Sequence, residues 1–215
     1  HSDFKRKDGF LESDKYIVSW ALGHLVALCE PEDYDMSYKK WSMDNLPIMP
    51  ENMKLKAIKK TSKQLTLLKK LMNGKDIDYI ICATDSGREG ELIFRYIYQF
   101  VKCSKPFKRL WISSMTDEAI KEGLMNLKDS KEYDNLYLSA KCRSEADWLV
   151  GINASRAYTI THKALLSVGR VQTPTLYLIV KRQYEIDNFK STDYYEVQTD
   201  YGSFSGIWFN EKYSN

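Results

Sequence analysis

Ile77-Asp78-Tyr79-Ile80-Ile81-Cys82-Ala83 runs directly into Thr84-Asp85-Ser86-Gly87-Arg88-Glu89-Gly90-Glu91. The first seven residues are β-branched and nearly all apolar, the pattern of a short strand covered on both faces. The polar stretch that follows holds two glycines and three acids, and a helical pattern continues from Glu91 to Phe100. Phe107 to Ile112 reads as a second strand. Thr116-Asp117-Glu118 opens a second helix, with Thr116 as its N-cap and the two acids suited to the positive end of the dipole. Ile120, Leu124 and Leu127 form its apolar stripe. Strand, helix, strand, helix implies right-handed βαβ crossovers and a parallel sheet flanked by helices, an α/β fold.

Upstream, Tyr16 to Ala21 reads as a strand and Gly23-His24 as a turn. A segment punctuated by Pro31, Pro47 and Pro50 carries the aromatic-basic cluster Tyr38-Lys39-Lys40-Trp41. From Met53 to Met72 the apolar spacing predicts a helix, stopped by Asn73-Gly74. Lys54, Lys56, Lys59, Lys60, Lys63, Lys69 and Lys70 are expected on its wet face. Downstream of about Tyr133 the texture becomes helical. A long amphipathic helix is predicted over Asn135 to Asn153, and another starts at Thr173-Pro174, with Thr as cap and Pro at the first position. Tyr194 to Thr199 and Phe204 to Phe209 read as two strands around Gly202-Ser203.

Composition narrows the field. The 215 residues are 43% hydrophobic and 28% charged, a globular balance that speaks against a disordered or fibrous chain. No apolar run approaches the ~18 residues of a membrane-spanning helix, so no membrane partner is expected. The net charge of +3 is too small to argue for nucleic acid by itself. Lys141 to Lys190 is more suggestive, with eight basic residues against four acidic ones. Cys29, Cys82, Cys103 and Cys142 form no C-x-x-C pair, and His1, His24 and His162 lie at no ligand spacing. That arrangement fits reduced thiols in a cytoplasmic protein and argues against zinc. The first residues lack a secretion signal and an initiating methionine, so a fragment is expected, natural or engineered.

Asp85 follows the carboxyl end of a parallel strand, where open α/β sheets place ligands. Three carboxylates this close repel one another unless a cation or an arginine sits among them, and Mg²⁺ favours such oxygen-rich sites. Gly87 and Gly90 allow a tight turn and close approach to a ligand. Arg88 can neutralise an acid or hold a phosphate oxygen. A solvated turn with an internal ion pair is the ordinary alternative for so short a motif.

The whole segment resembles the acidic signature of the Toprim domain, and in detail that of type IA DNA topoisomerases of the bacterial topoisomerase III kind. Four further segments are similar to the family in order. They are Trp20-Ala21-Leu22-Gly23-His24-Leu25, Arg109 to Ile120, Arg143-Ser144-Glu145-Ala146-Asp147-Trp148-Leu149-Val150-Gly151, and Ser167-Val168-Gly169-Arg170-Val171-Gln172-Thr173-Pro174. The resemblance implies a Toprim-type sheet over residues 1–132 lacking its first strand. A partial, mainly helical DNA-groove domain over 133–191 and the start of a β-rich gate domain over 192–215 would follow.

By the same resemblance, Asp85 and Glu89 would hold Mg²⁺, while Arg88, Glu89, Glu91 and His24 would organise the phosphodiester. Gly87 stands where many members carry a second aspartate, which removes one ligand. Trp41, Arg143, Asp147, Trp148, Arg156, Ser167, Val168, Gly169, Arg170, Val171 and Gln172 would contact single-stranded DNA. Asp147 lies four residues after Arg143, so the two can pair, and the pair can present Arg143 to a nucleotide. The free N–H groups before Pro174, with Arg170, would form a phosphate corner. The family's nucleophilic tyrosine lies in a Pro-Arg-Thr context, and no proline here is followed by Arg-Thr. The implied activity is ATP-independent cleavage and rejoining of single-stranded DNA through a 5′-phosphotyrosyl link. This monomeric stretch would supply the acidic half-site and be inactive alone. A non-catalytic DNA-binding module and a Toprim nuclease or primase are the other readings.

Overall fold

A computed structural model describes residues 3–208. Contacts divide the chain into two units, His1–Arg170 and Val171–Asn215. The first begins with an antiparallel three-stranded sheet, β1 (Lys5–Lys7), β2 (Phe10–Glu12) and β3 (Ile17–Ser19). β4 (Val26–Leu28) follows, and then the short helix α1 (Pro31–Tyr34).

β4 pairs antiparallel with β5 (Leu55–Ala57), inside the stretch whose spacing predicts helix. Leu55 and Ile58 are in phase with the apolar face of Ser62–Met72. The β4 edge nevertheless captures their backbone, with Cys29 N–H bonded to Lys54 O at 2.8 Å and Ile58 N–H to Leu25 O at 2.9 Å. Helix α2 therefore starts only at Ser62 and runs to Met72. Tertiary pairing overrides periodicity here.

β6 (Ile80–Cys82) leads into α3 (Arg88–Phe100), β7 (Phe107–Arg109) and α4 (Asp117–Met125). β6 and β7 are parallel, with Cys82 opposite Arg109, as strand-helix-strand requires. β8 (Lys128–Asp129) then adds antiparallel to β7, so only one pair of this sheet is parallel. Thr116 caps α4 by accepting the Ala119 N–H. The expected α4 stripe is shallow: Ile120 and Leu127 are half-buried and Leu124 is exposed.

Helix α5 (Asp134–His162) has 29 residues, nine beyond the predicted end at Asn153, and spans roughly 44 Å. α3 packs on α5 and on the β4–β5 pair. The core gathers Leu25, Val26, Leu65, Cys82, Leu92, Phe94, Ile97, Val101 and Tyr137. Each such apolar side chain contributes roughly 1.5–3 kcal/mol on burial.

The second unit holds α6 (Gln172–Asp187) and the hairpin β9 (Gln198–Asp200) with β10 (Ser205–Ile207). α6 starts two residues before Pro174, with Val171 rather than Thr173 before its first turn. The first predicted strand of this region shares only Gln198 and Thr199 with β9, which runs on to Asp200; the second is shortened to β10, and Phe209, its expected end, lies outside the described residues. Among the described residues no helix is long and apolar enough to cross a membrane.

Candidate active site

The acidic loop leaves β6 at Ala83 and becomes α3 at Arg88. Its path is fixed from within. Thr84 Oγ1 donates to Gly90 O at 2.8 Å, and Gly87 N–H donates to Asp85 O at 2.9 Å. Ser86 Oγ accepts the Ile112 N–H at 3.1 Å, tying the loop to the chain beyond β7. A Cβ on Gly90 would lie 2.2 Å from Asp85 O and 2.8 Å from Asp85 N, so only glycine fits there.

Asp85, Arg88 and Glu89 are exposed. Glu89 Oε1 meets His24 Nε2 at 2.5 Å. Gly23, at φ +72°, allows the turn that presents His24. The first intrahelical bond of α3 runs from Glu91 N–H to Gly87 O, which leaves the preceding N–H groups at a positive helix end.

These residues open on a cleft of about 550 Å³, lined by His24, Asp85, Arg88 and Glu89 together with Arg143, Ser144 and Asp147 of α5. Asp147 is a junction. Its Oδ1 accepts from Arg170 Nε at 2.5 Å and its Oδ2 from Arg170 Nη2 at 3.3 Å, while Arg143 Nε lies 3.8 Å from Oδ2. The Arg170 hydrogen bond holds the Asp147 carboxyl below the usual aspartate range, and the same bond raises Arg170. The approach to Arg170 is laid along α5. Ser155 Oγ accepts Val168 N–H at 2.9 Å and donates to Val168 O, and Thr159 Oγ1 makes the same pair with Leu166. Carboxylates, guanidinium groups and a helix N-terminus thus stand around one cleft, groups able to meet both an anion and a cation.

Residues 2–115, more than half the chain, match the family model of the Toprim domain. The chain belongs to the Toprim family. Residues 131–214 match a second family model, described as DNA topoisomerase. It is 56% identical to DNA topoisomerase 3 of Bacillus cereus over 194 residues, covering 90% of this chain and 27% of that protein. The topoisomerase 3 proteins of Bacillus licheniformis and Bacillus subtilis are 52% and 51% identical, and 29% of each is covered. The chain therefore spans under a third of these relatives. Full-length topoisomerase I from Thermotoga maritima shares its fold at a TM-score of 0.62 and 24% identity, with 93% of this chain and 33% of that one covered.

Seen as a Toprim acidic loop, the donor set suits Mg²⁺ shared with a ligand rather than caged by protein. Mg²⁺ keeps several waters and takes one or two carboxylates plus phosphate oxygens. Asp85 and Glu89 are exposed on the same cleft, and His24 occupies only Oε1 of Glu89. Among the described residues no three His, Cys, Asp or Glu gather into a metal-holding group.

Several expected contacts fall elsewhere. Glu91 lies off the cleft at 0% exposure, bonded to Arg95 Nε at 2.8 Å and Arg109 Nε at 3.0 Å. Packing of α3 turns it inward, two residues past the exposed Glu89. Trp148 is not presented for stacking: its Nε1 donates to Cys29 O at 2.9 Å, and its ring meets Tyr34 edge-on. Arg156 is 5% exposed, donates Nη1 to Tyr38 O at 2.6 Å, and lies 5.0 Å from the ring centroid of Trp41. It thereby covers one face of the half-open Trp41. Burial lowers its pKa. Arg143 and Asp147 pair only loosely because Arg170 takes the carboxylate. Ser167, Val168 and Gly169 lie on the irregular segment leading to Arg170, whereas Val171 and Gln172 belong to the second unit. Arg109 and Ser144 lie inside the family-like segments but are given no role there, and Ser155 and Thr159 lie outside them. Arg109 carries no distinguishing signal, since Lys108 beside it in the same strand is charged too and is exposed.

Proposed function

We propose that this chain carries the acidic half-site and part of the single-stranded DNA grip of an ATP-independent type IA topoisomerase, a Mg²⁺-using monomer of the cytoplasm. In that reaction a tyrosine oxygen attacks a DNA phosphorus, the P–O3′ bond breaks, and a 5′-phosphotyrosyl link and a free 3′-hydroxyl result. After strand passage the 3′-hydroxyl attacks the same phosphorus and releases the tyrosine, so the bond energy is conserved without ATP. The tyrosine lies outside this set of residues.

The observation that carries the reading is the shared cleft, in which Asp85, Arg88, Glu89 and His24 stand with Arg143 and Asp147, and Asp147 holds Arg170. Asp85 and Glu89 would hold Mg²⁺, which when bound supplies positive charge to a bridging phosphate. His24 orients Glu89 through Oε1. Arg143 and Arg170 bind backbone phosphate, and the α3 N-terminus favours the same anion. The match of residues 131–214 to a topoisomerase model supports this reading over a Toprim nuclease or primase.

The test combines this chain with the remaining length of a Bacillus topoisomerase 3. The assembled protein is expected to form a covalent adduct with labelled single-stranded oligonucleotide. The chain alone is expected to bind that oligonucleotide weakly and to leave supercoiled plasmid unrelaxed. Relaxation by the chain alone overturns the assignment of roles. Metal-dependent nicking without an adduct points to the nuclease.

A further inference from the structure

Arg109 is the largest fully buried side chain among the described residues, at 0% exposure in β7, and the proposed reaction makes no use of it. It spends its donors on backbone. Nη1 donates to Cys82 O at 3.0 Å, Thr84 O at 2.7 Å and Leu110 O at 2.9 Å, and Nη2 donates to Asp85 O at 2.5 Å. Three of these four carbonyls lie on the path from the end of β6 into the acidic loop, and one belongs to Asp85 itself. Nε is taken by Glu91, also 0% exposed, from the first turn of α3 on the other side of the loop. Arg95 gives Glu91 its second partner at 2.8 Å.

A buried guanidinium is costly unless paired and fully hydrogen-bonded, and here every donor nitrogen has a partner. Its five donors in a rigid fork can gather several carbonyls at once, which an ammonium cannot match. The two ends of the loop are thus clamped by one ion pair. Arg109 grips the entry by its carbonyls, and Glu91 grips Arg109 from the exit.

From this geometry we infer that Arg109 and Glu91 are positioning residues, a buried latch that sets the backbone of Asp85 and with it the aim of the Asp85 and Glu89 carboxylates into the cleft. The inference deepens the proposed Mg²⁺ role of that loop and rests on it for the functional consequence. Glu91 acts through Arg109, and neither touches the ligand.

The test uses Arg109→Lys and the double variant Glu91→Gln/Arg109→Met, which removes both buried charges together and leaves neither orphaned. Circular dichroism and thermal melting confirm folding. Two readouts are then taken on the folded variants and the parent: amide hydrogen exchange of Asp85 to Gly90, and Mg²⁺ titration followed by calorimetry. Exchange across the loop is expected to quicken at least tenfold, with core amides of α3 unchanged, and Mg²⁺ affinity to fall at least tenfold. Unchanged loop exchange in a folded variant overturns the latch. A parent that binds no Mg²⁺, with loop exchange still quickened in the variants, overturns the metal reading and leaves the latch standing. Should neither variant fold, the parent decides by NMR of its Arg109 guanidinium. Protected Nη protons coupled to the carbonyls of Cys82, Thr84 and Asp85 support the latch, and freely exchanging ones refute it.

Discussion

At the scale of single residues, Asp147 shows how one carboxylate is divided between two cations. Arg170 takes both oxygens, Arg143 stands 3.8 Å away, and the hydrogen bond from Arg170 keeps the acid ionised below its ordinary value of 3.8. A depressed aspartate stabilises the fold above its unfolded value, and that contribution disappears as pH falls through the lower folded one. The tether on Arg170 is therefore expected to be constant from neutrality down to about pH 4 and to release only in stronger acid. A ¹³C titration of the Asp147 carboxyl should give a midpoint below 3.8, with the Arg170 Nε signal moving in step. Asp147→Asn should abolish the Arg170 transition. A midpoint at or above the ordinary value would mean that the pair does not persist in solution. Because the group is half exposed, solvent screening keeps its part in overall stability small.

Elements show what sequence reading can reach. The β6 apolar run, the glycine-punctuated loop and the Thr116 cap are legible because each is a local rule: β-branching, turn chemistry, a side-chain acceptor at a helix start. The strand at Leu55–Ala57 and the last nine residues of α5 are not, since both depend on partners far away in sequence. Asn153 is a case in point. Periodicity places it merely at a helix end, yet its amide reaches across the fold to Ile48, accepting the Ile48 N–H at 2.6 Å and donating to Ile48 O at 3.0 Å. Ile48 is 0% exposed, so neither backbone group has access to water as a substitute. Asn153→Ala orphans both, and each buried polar group left unmade costs about 1–3 kcal/mol. Thermal denaturation should show that loss, with faster proteolysis around Pro47 and Pro50. Asn153→Asp keeps the acceptor but turns a carboxylate oxygen onto Ile48 O and Leu149 O, so it should be no more stable than alanine. Of the candidate site, the acids and arginines at the cleft are reached through the resemblance of their segments to the family, since spacing alone reads equally as a solvated turn and an i,i+4 pair. The inward turn of Glu91, the burial of Arg156 and the docking of the half-buried Trp148 on Cys29 and Tyr34 are legible in neither, because helix rotation and side-chain packing decide them.

Across the whole molecule, a net charge of +3 says little, and placement of the cations decides what a nucleic acid would meet. Arg143 and Arg170 are exposed beside the cleft, while Arg156 from the same basic stretch is buried against Tyr38 and Trp41. Single-strand binding releases counterions in proportion to the phosphates neutralised, with a slope of about −0.7 in log K against log salt for each. Fluorescence anisotropy with a labelled oligonucleotide over a salt series should thus show the slope of Arg143→Ala and of Arg170→Ala each shallower by about 0.7 than the parent. Arg156→Ala, compared at a temperature where it stays folded, should bind along the parent's slope while melting earlier, because its cation meets protein and not phosphate. If Arg156→Ala flattens the slope and the other two do not, the strand follows the Tyr38–Trp41 side of the fold. The cleft at Asp85 and Glu89 would then lose its claim to the phosphodiester, since nothing else on its α5 wall offers an exposed guanidinium among the described residues.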